Sequence, residues 1–191
     1  MSNRNPLDRI FLIGMPGSGK STVGKALAQV LNWDFFDTDT QIRAKTGVDI
    51  PTIFELEGEQ GFRRREAEVI SQMAEIKHAV IATGGGSILA QENRDCMSAC
   101  GMVVYLTTPM TTLLRRVKQD KSRPLLATGA IEKNLAEMFE RRAPLYKAIC
   151  NMEVATGNRP ARQIALDIQK GIWPEGGPSA GQCSIIATSG A

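Results

Sequence analysis

Gly14-Met15-Pro16-Gly17-Ser18-Gly19-Lys20-Ser21 is the stretch on which the fold turns, and it follows directly on the apolar run Ile10-Phe11-Leu12-Ile13. It fits Gly-x-x-x-x-Gly-Lys-Ser/Thr in the context where that pattern binds phosphate: a strand delivers the chain to a glycine-rich turn, and a helix starts at Lys20. The turn directs backbone N–H groups inward, and the helix N-terminus adds partial positive charge. Lys20 can then reach the β and γ phosphates of a nucleotide while the Ser21 hydroxyl holds Mg²⁺. A plain Gly/Ser turn ahead of an ordinary helix is the bland alternative. The strand before the motif, and the amphipathic stripe Val23, Leu27, Val30, Leu31 after it, favour nucleotide binding.

The rest of the composition suits one domain around that loop. With 191 residues, 42% of them hydrophobic, the chain can bury a substantial core. Twenty-three basic against 20 acidic residues leave a net charge of +3, too balanced to imply nucleic acid or a membrane surface as partner. The four cysteines, Cys96, Cys100, Cys150 and Cys183, form no Cys-x-x-Cys pair and the only histidine is His78, which argues against a zinc site and for free thiols in a reducing compartment. Met1 to Asp8 is polar and lacks the apolar core of a signal peptide. No run approaches the roughly 18 apolar residues of a membrane span. A cytoplasmic protein is expected.

Short apolar runs at 9–13, 34–37, 79–83, 102–106 and 152–155 alternate with helical patterns at 20–31, 40–45, 50–75 with a break near Gly58, 91–99, 110–118, 131–142 and 160–171. This alternation predicts βαβ units and a parallel sheet. Thr108-Pro109 reads as the cap and first residue of the helix after the fourth strand. After Ile172 the composition changes to Trp-Pro-Glu-Gly-Gly-Pro-Ser-Ala-Gly, which predicts a domain over 8–172 and a flexible tail over 173–191.

Asp37-Thr38-Asp39 ends the second predicted strand, on the side where ligands of an open α/β sheet bind. Such a pair is ordinarily a solvated turn or a cap. The third predicted strand, however, runs into Gly84-Gly85-Gly86 without an acidic residue, so the Asp pair is the best-placed acid for the metal and the nucleophile. The triple glycine suits close approach of backbone to a ligand. Arg63, Arg64 and Arg65 cannot share one helix face, so one of them can point inward, and Glu66 is spaced to hold the Arg63 guanidinium. Lys121-Ser122-Arg123-Pro124-Leu125-Leu126 lacks clear periodicity and suits a lid that carries a cation over the transferring phosphate. Arg141-Arg142-Ala143-Pro144-Leu145-Tyr146 ends the predicted helix before the last strand, where basic residues also favour the helix dipole.

Taken in order and spacing, Gly14-x-x-Gly17-x-Gly19-Lys20-Ser21, Asp37-x-Asp39, Gly61-Phe62-Arg63-Arg64-x-Glu66, Gly84-Gly85-Gly86, Arg123-Pro124-Leu125-Leu126 and Arg142-Ala143-Pro144-Leu145-Tyr146 resemble shikimate kinase over residues 8–171. The resemblance implies an α/β P-loop kinase fold in three layers: a five-stranded parallel sheet in the order 2-3-1-4-5, a substrate-binding region after strand two, and a lid. It implies ATP-dependent phosphorylation of the 3-hydroxyl of shikimate on the way to chorismate and the aromatic amino acids, with one Mg²⁺ accompanying ATP. Lys20, Asp39 and Arg123 would be catalytic. ATP would be held by Gly17, Ser18, Gly19, Lys20, Ser21 and Thr22 together with Arg123, and on the adenine side by Arg116 and Arg159. Asp39, Arg63, Gly85 and Arg142 would bind the substrate, the two arginines clamping its carboxylate, while Ser21 and, through water, Asp37 would hold the metal. Shikimate and ATP would be the partners of a monomer, without nucleic acid or membrane.

Three other classes compete with this reading. A gluconate or polyol kinase would share the loop and lid but not the Phe62-Arg63 and Arg142-Ala143-Pro144 elements. A regulatory GTPase should carry an Asn-Lys-x-Asp motif, which is missing from the sequence. A silent nucleotide-binding module need not keep Lys20, Ser21, Asp37, Asp39 and Arg123 together.

Overall fold

The computed structural model describes residues 6–119 and 131–174. Five strands, β1 (Arg9–Ile13), β2 (Asp34–Asp37), β3 (Ala79–Ala82), β4 (Met102–Thr107) and β5 (Met152–Ala155), form a parallel sheet in the order β2-β3-β1-β4-β5. Central β1 pairs Ile10 with Val80 on one side and with Met102 on the other. The described helices are α1 (Lys20–Leu31), α2 (Thr38–Thr46), α3 (Ile50–Met73), α4 (Gln91–Cys100), α5 (Met110–Gln119), α6 (Ile131–Ile149) and α7 (Ala161–Ile172).

β1 is buried at every position, as a parallel strand covered on both faces must be. Its side chains alternate between two cores. Ile10 and Leu12 pack with Val23, Leu27 and Leu31 of α1 and Ile164 and Ile168 of α7, whereas Phe11 and Ile13 face Val69 and Ile70 of α3, Met97 of α4 and Leu135 of α6. Fully burying an aliphatic chain of this kind stabilises by about 1.5–3 kcal/mol, so the two helical layers clamp the sheet mainly through these residues. The three-layer arrangement holds the carboxyl ends of the strands in a row.

Element boundaries depart from the sequence pattern in three informative places. First, α2 starts at Thr38, because Asp37 caps it by accepting a hydrogen bond from the Thr40 N–H at 3.2 Å; Asp39 therefore sits in the first helical turn instead of before it. Second, Thr108 does not cap α5. Its hydroxyl pairs with that of Thr156 at 2.6 Å, and the Pro109 carbonyl accepts the first helical bond, from Leu113. Third, α6 runs to Ile149, past the boundary at 142 that Pro144 suggests. An interior proline removes one backbone bond and costs about 3 kcal/mol. The turns beyond it bury Tyr146, whose ring stacks on Tyr105 with centroids 5.0 Å apart, and this anchorage offsets the loss. Arg141 and Arg142 consequently lie mid-helix, so the helix-dipole account of them fails.

The break near Gly58 is present as a single residue at φ 69°, ψ −177° inside α3, a conformation favoured by glycine. Glu57 reaches across it to Arg65 Nε at 2.9 Å. At the amino edge of the sheet, Trp173 packs edge-on against Trp33 with ring centroids 5.9 Å apart, and Trp33 in turn leans on His78. Trp173, assigned by composition to the tail, thus packs against the α1/α7 core; residues 175–191 lie outside the described residues. Among the described residues no helix is long and apolar enough to cross a membrane.

Candidate active site

The carboxyl ends of the strands open into a cleft of about 420 Å³, lined by Gly17, Ser18, Gly19, Lys20, Ser21 and Thr22 of the glycine-rich loop, by Asp37 and Asp39, and by Gly84, Gly85, Arg116 and Arg159. β1 delivers the loop and α1 begins at its lysine, as the motif requires. Lys20 is 8% exposed, and its ammonium donates to the carbonyls of Gly14 at 2.8 Å and Met15 at 3.0 Å. The Ser21 hydroxyl donates to Asp37 Oδ2 at 2.6 Å, which joins the loop to the end of β2.

Beside this cleft the triple glycine gathers the other expected residues. The Gly84 N–H donates to the Thr38 hydroxyl at 2.9 Å, and the Ser87 hydroxyl donates to Glu66 Oε1 at 2.6 Å. A Cβ added at Gly84 would lie 2.8 Å from Glu66 Oε1 and 3.0 Å from Asp39 Oδ1, so any side chain there would displace one or both carboxylates. Arg63 is the inward member of its arginine run, paired through Nη1 with Glu66 at 2.8 Å and through Nη2 with the more exposed Glu59 at 3.2 Å. Its guanidinium turns both terminal nitrogens toward Gly86, where a Cβ would sit 2.7 Å from each. From α6, Arg142 Nη1 donates to the Gly85 carbonyl at 3.0 Å, and the Tyr146 hydroxyl donates to the same oxygen at 2.6 Å.

Charge is unevenly balanced here. Burial pushes the Glu66 carboxyl above its ordinary value, and nearby Asp39 adds to that, while Arg63 and Ser87 pull it down. Burial also opposes charge on Arg63, yet Glu66 and Glu59 outweigh it and hold that guanidinium above its usual value. Arg142 is pushed below its usual value by burial, with the neighbouring Arg63 charge adding to the effect against the influence of Tyr146. Among the described residues Arg142 forms no salt bridge; this partly desolvated cation beside a second cation has only neutral acceptors, the Gly85 carbonyl and the Tyr146 hydroxyl.

Arg116 and Arg159, expected on the adenine side of ATP, line the cleft, but both are engaged by the protein itself. Arg116 spans from the Gly17 carbonyl at 3.0 Å to the Gly157 carbonyl at 2.6 Å, and Arg159 pairs with Asp167. Arg123 and the lid residues 120–129 lie outside the described residues. The motifs did not single out Thr38, Ser87 or the phenol of Tyr146 as site residues. For Tyr146 a signal existed: it stands four residues after Arg142, hence on the same helix face, but reading Pro144 as a helix end concealed it.

A family model described as shikimate kinase matches residues 16–173. A shikimate kinase of Vibrio cholerae is 47% identical over 161 residues, 84% of this chain and 92% of that protein. Among solved structures, a shikimate kinase from Acinetobacter baumannii in complex with shikimate is 43% identical with a TM-score of 0.84, covering 87% of this chain and 93% of its own. A gluconokinase structure from Sinorhizobium meliloti reaches a TM-score of 0.52 at 19% identity over 86% of this chain and 92% of its own, a likeness of fold alone.

Proposed function

This chain belongs to the shikimate kinase family and phosphorylates shikimate, and from that premise we propose how its residues divide the work. ATP lies along the glycine-rich loop, with Gly17, Ser18, Gly19, Lys20, Ser21 and Thr22 around its phosphates and Arg116 and Arg159 toward the base. Shikimate lies against the triple glycine, with its carboxylate between Arg63 and Arg142, the Gly85 backbone as a further contact, and its 3-hydroxyl at Asp39. The observation that carries this arrangement is Arg142, a half-buried guanidinium without a carboxylate partner among the described residues and beside a second guanidinium. A planar carboxylate answers both charges with paired hydrogen bonds, which a polyol cannot do.

In the transfer step the 3-hydroxyl oxygen forms a bond to the γ-phosphorus as the bond from that phosphorus to the bridging oxygen breaks and ADP leaves. Asp39 accepts or orients the hydroxyl proton. Lys20 exchanges the carbonyls of Gly14 and Met15 for phosphate oxygens, a stronger charge-assisted pairing. The Ser21 hydroxyl and the Asp37 carboxylate, already in contact, form a hard oxygen donor set that fits Mg²⁺ with Asp37 acting through water. When bound, Mg²⁺ neutralises charge spreading over the phosphates. Arg123 is proposed to contribute a further cation there. The catalytic domain is assigned to residues 8–172, with Trp173 packed against it and the remainder of 173–191 as a tail without catalytic role.

ADP release by the purified protein with ATP, Mg²⁺ and either shikimate or gluconate tests the reading: shikimate supports turnover and gluconate does not, and the reverse would overturn it. Arg63→Ala or Arg142→Ala should each weaken shikimate binding by about 1.5–3 kcal/mol, the range for hydrogen bonds to charged groups, and leave ATP affinity nearly unchanged. Calorimetric titration with each ligand separates this result from equal weakening of both, which would indicate a folding defect.

A further inference from the structure

The Gly85 carbonyl receives two donors from one helix, and they differ in kind. Arg142 brings a charge assigned above to a substrate carboxylate; Tyr146 brings a neutral hydroxyl that donates to the carbonyl at 2.6 Å while its oxygen accepts from Arg142. We propose that Tyr146 is a positioning residue: it keeps hold of the Gly85 carbonyl so that Arg142 can leave that oxygen for the carboxylate without loosening the glycine turn. The proposal rests on Arg142 being a carboxylate ligand.

Four observations support it. A guanidinium prefers an anionic oxygen to a peptide carbonyl, so the Arg142 contact with Gly85 is the one that yields when a carboxylate arrives. The carbonyl it leaves would then be a half-buried acceptor short of a partner, and such groups are costly unless another donor remains. Tyr146 is fixed for that purpose, being 1% exposed and stacked on Tyr105 at an interplanar angle of 26°. Burial moves its phenol above the ordinary range, so it stays a donor at any physiological pH.

The far side of the turn is fixed as well, for a Cβ at Gly85 would meet Pro16 Cδ at 3.0 Å. The turn therefore sits between the phosphate loop and the Tyr146 hydroxyl. Because the peptide bond is trans, holding the Gly85 carbonyl toward α6 turns the Gly86 N–H the opposite way, with Arg63 packed over Gly86. One hydroxyl thus sets the direction of a peptide that borders both cationic groups.

Tyr146→Phe keeps the ring and its stack and removes only the donor. It should weaken shikimate binding about tenfold, because Arg142 is then the sole side-chain donor to a half-buried carbonyl and the substrate must compete with it. KM for shikimate should follow, with kcat at saturating shikimate and ATP affinity each changed less than about twofold. In an Arg142→Ala background the same substitution should change shikimate affinity by less than about twofold, since the competing group is gone. Unaltered shikimate affinity in Tyr146→Phe, or an equal loss in both backgrounds, overturns the proposal. If Arg142→Ala alone binds shikimate normally, the underlying reading of Arg142 fails instead.

Amide exchange in the wild-type protein gives a second measure that needs no variant. Protection of the Gly86 and Ser87 amides should be no lower with shikimate bound, whereas faster exchange would show that Arg142 alone had held the turn.

Discussion

Asp39→Asn is expected to lower kcat by about 10³-fold, inside the 10²–10⁴ range of a positioned acid–base group, while ATP binds nearly as well as before. The substitution is nearly isosteric, and Asp39 stands in the first turn of a helix whose cap is Asp37, so the local backbone has no reason to move. What changes is charge. Asn can still contact a hydroxyl but accepts its proton poorly, and it removes the negative charge that lies with Glu66 around Gly84. Rapid-quench measurement of phosphoryl transfer, with ATP affinity measured separately, decides the matter. Turnover near the wild-type rate would remove Asp39 from the role proposed for it.

The second large effect is on stability. Glu66 is 1% exposed, takes a hydrogen bond from Ser87 and faces Arg63 at 2.8 Å. Removing one partner of a buried pair costs about 3–5 kcal/mol, because the other charge is left desolvated and alone. Arg63 is partly open to solvent and keeps Glu59, which places Glu66→Ala at about 3 kcal/mol, the lower end of that range, a fall of roughly 6–12 °C in thermal midpoint for a domain of this size. Shikimate affinity should fall as well, since Arg63 loses the carboxylate that orients it. Differential scanning calorimetry reads the first effect and a binding titration the second; a midpoint within a degree or two of wild type would show that the pair is not what holds α3 to the glycine turn.

The pH dependence follows with a definite sign. Burial raises the Glu66 carboxyl above its unfolded value, so on acidification the native state takes up this proton before the unfolded chain does. Through this group alone, stability rises as pH falls between the two values and is lost again as pH rises through the folded one. Binding moves the other way, because a neutral Glu66 no longer orients Arg63. KM for shikimate should therefore climb on the acid side, beginning above the pH at which an ordinary glutamate protonates. In Glu66→Gln it should be raised and nearly flat over the same interval. An identical acid limb in the variant would assign the titration to another group.

What could be read in advance from the sequence was what lies close together along the chain. The phosphate loop, its strand and its helix occupy one short segment, and Arg63 with Glu66 is a one-turn helical pair; both were legible because spacing alone sets the geometry. The strand segments were legible for the same reason. Contacts between distant segments were not. Ser87 finds Glu66 across 21 residues, Thr38 finds Gly84 across 46, and Arg116 reaches Gly17 across 99, and no local pattern encodes those meetings. Pro144 misled for a different reason: its intrinsic cost is real, but tertiary burial of Tyr146 prevails over it.

The pairing of Trp33 with Trp173 has a spectroscopic consequence. These are the chain's two tryptophans, and both sit at the amino edge of the sheet, one leading into β2 and the other following α7, at the end opposite the phosphate loop. Ultraviolet light absorbed by indole is therefore emitted from a region far from the cleft proposed for both substrates. Emission should stay flat through titrations with ATP or shikimate, yet redden and dim when the end of α7 detaches from β2. The protein carries a built-in optical gauge of its C-terminal seam, and following catalysis by fluorescence would require an indole introduced on the substrate side.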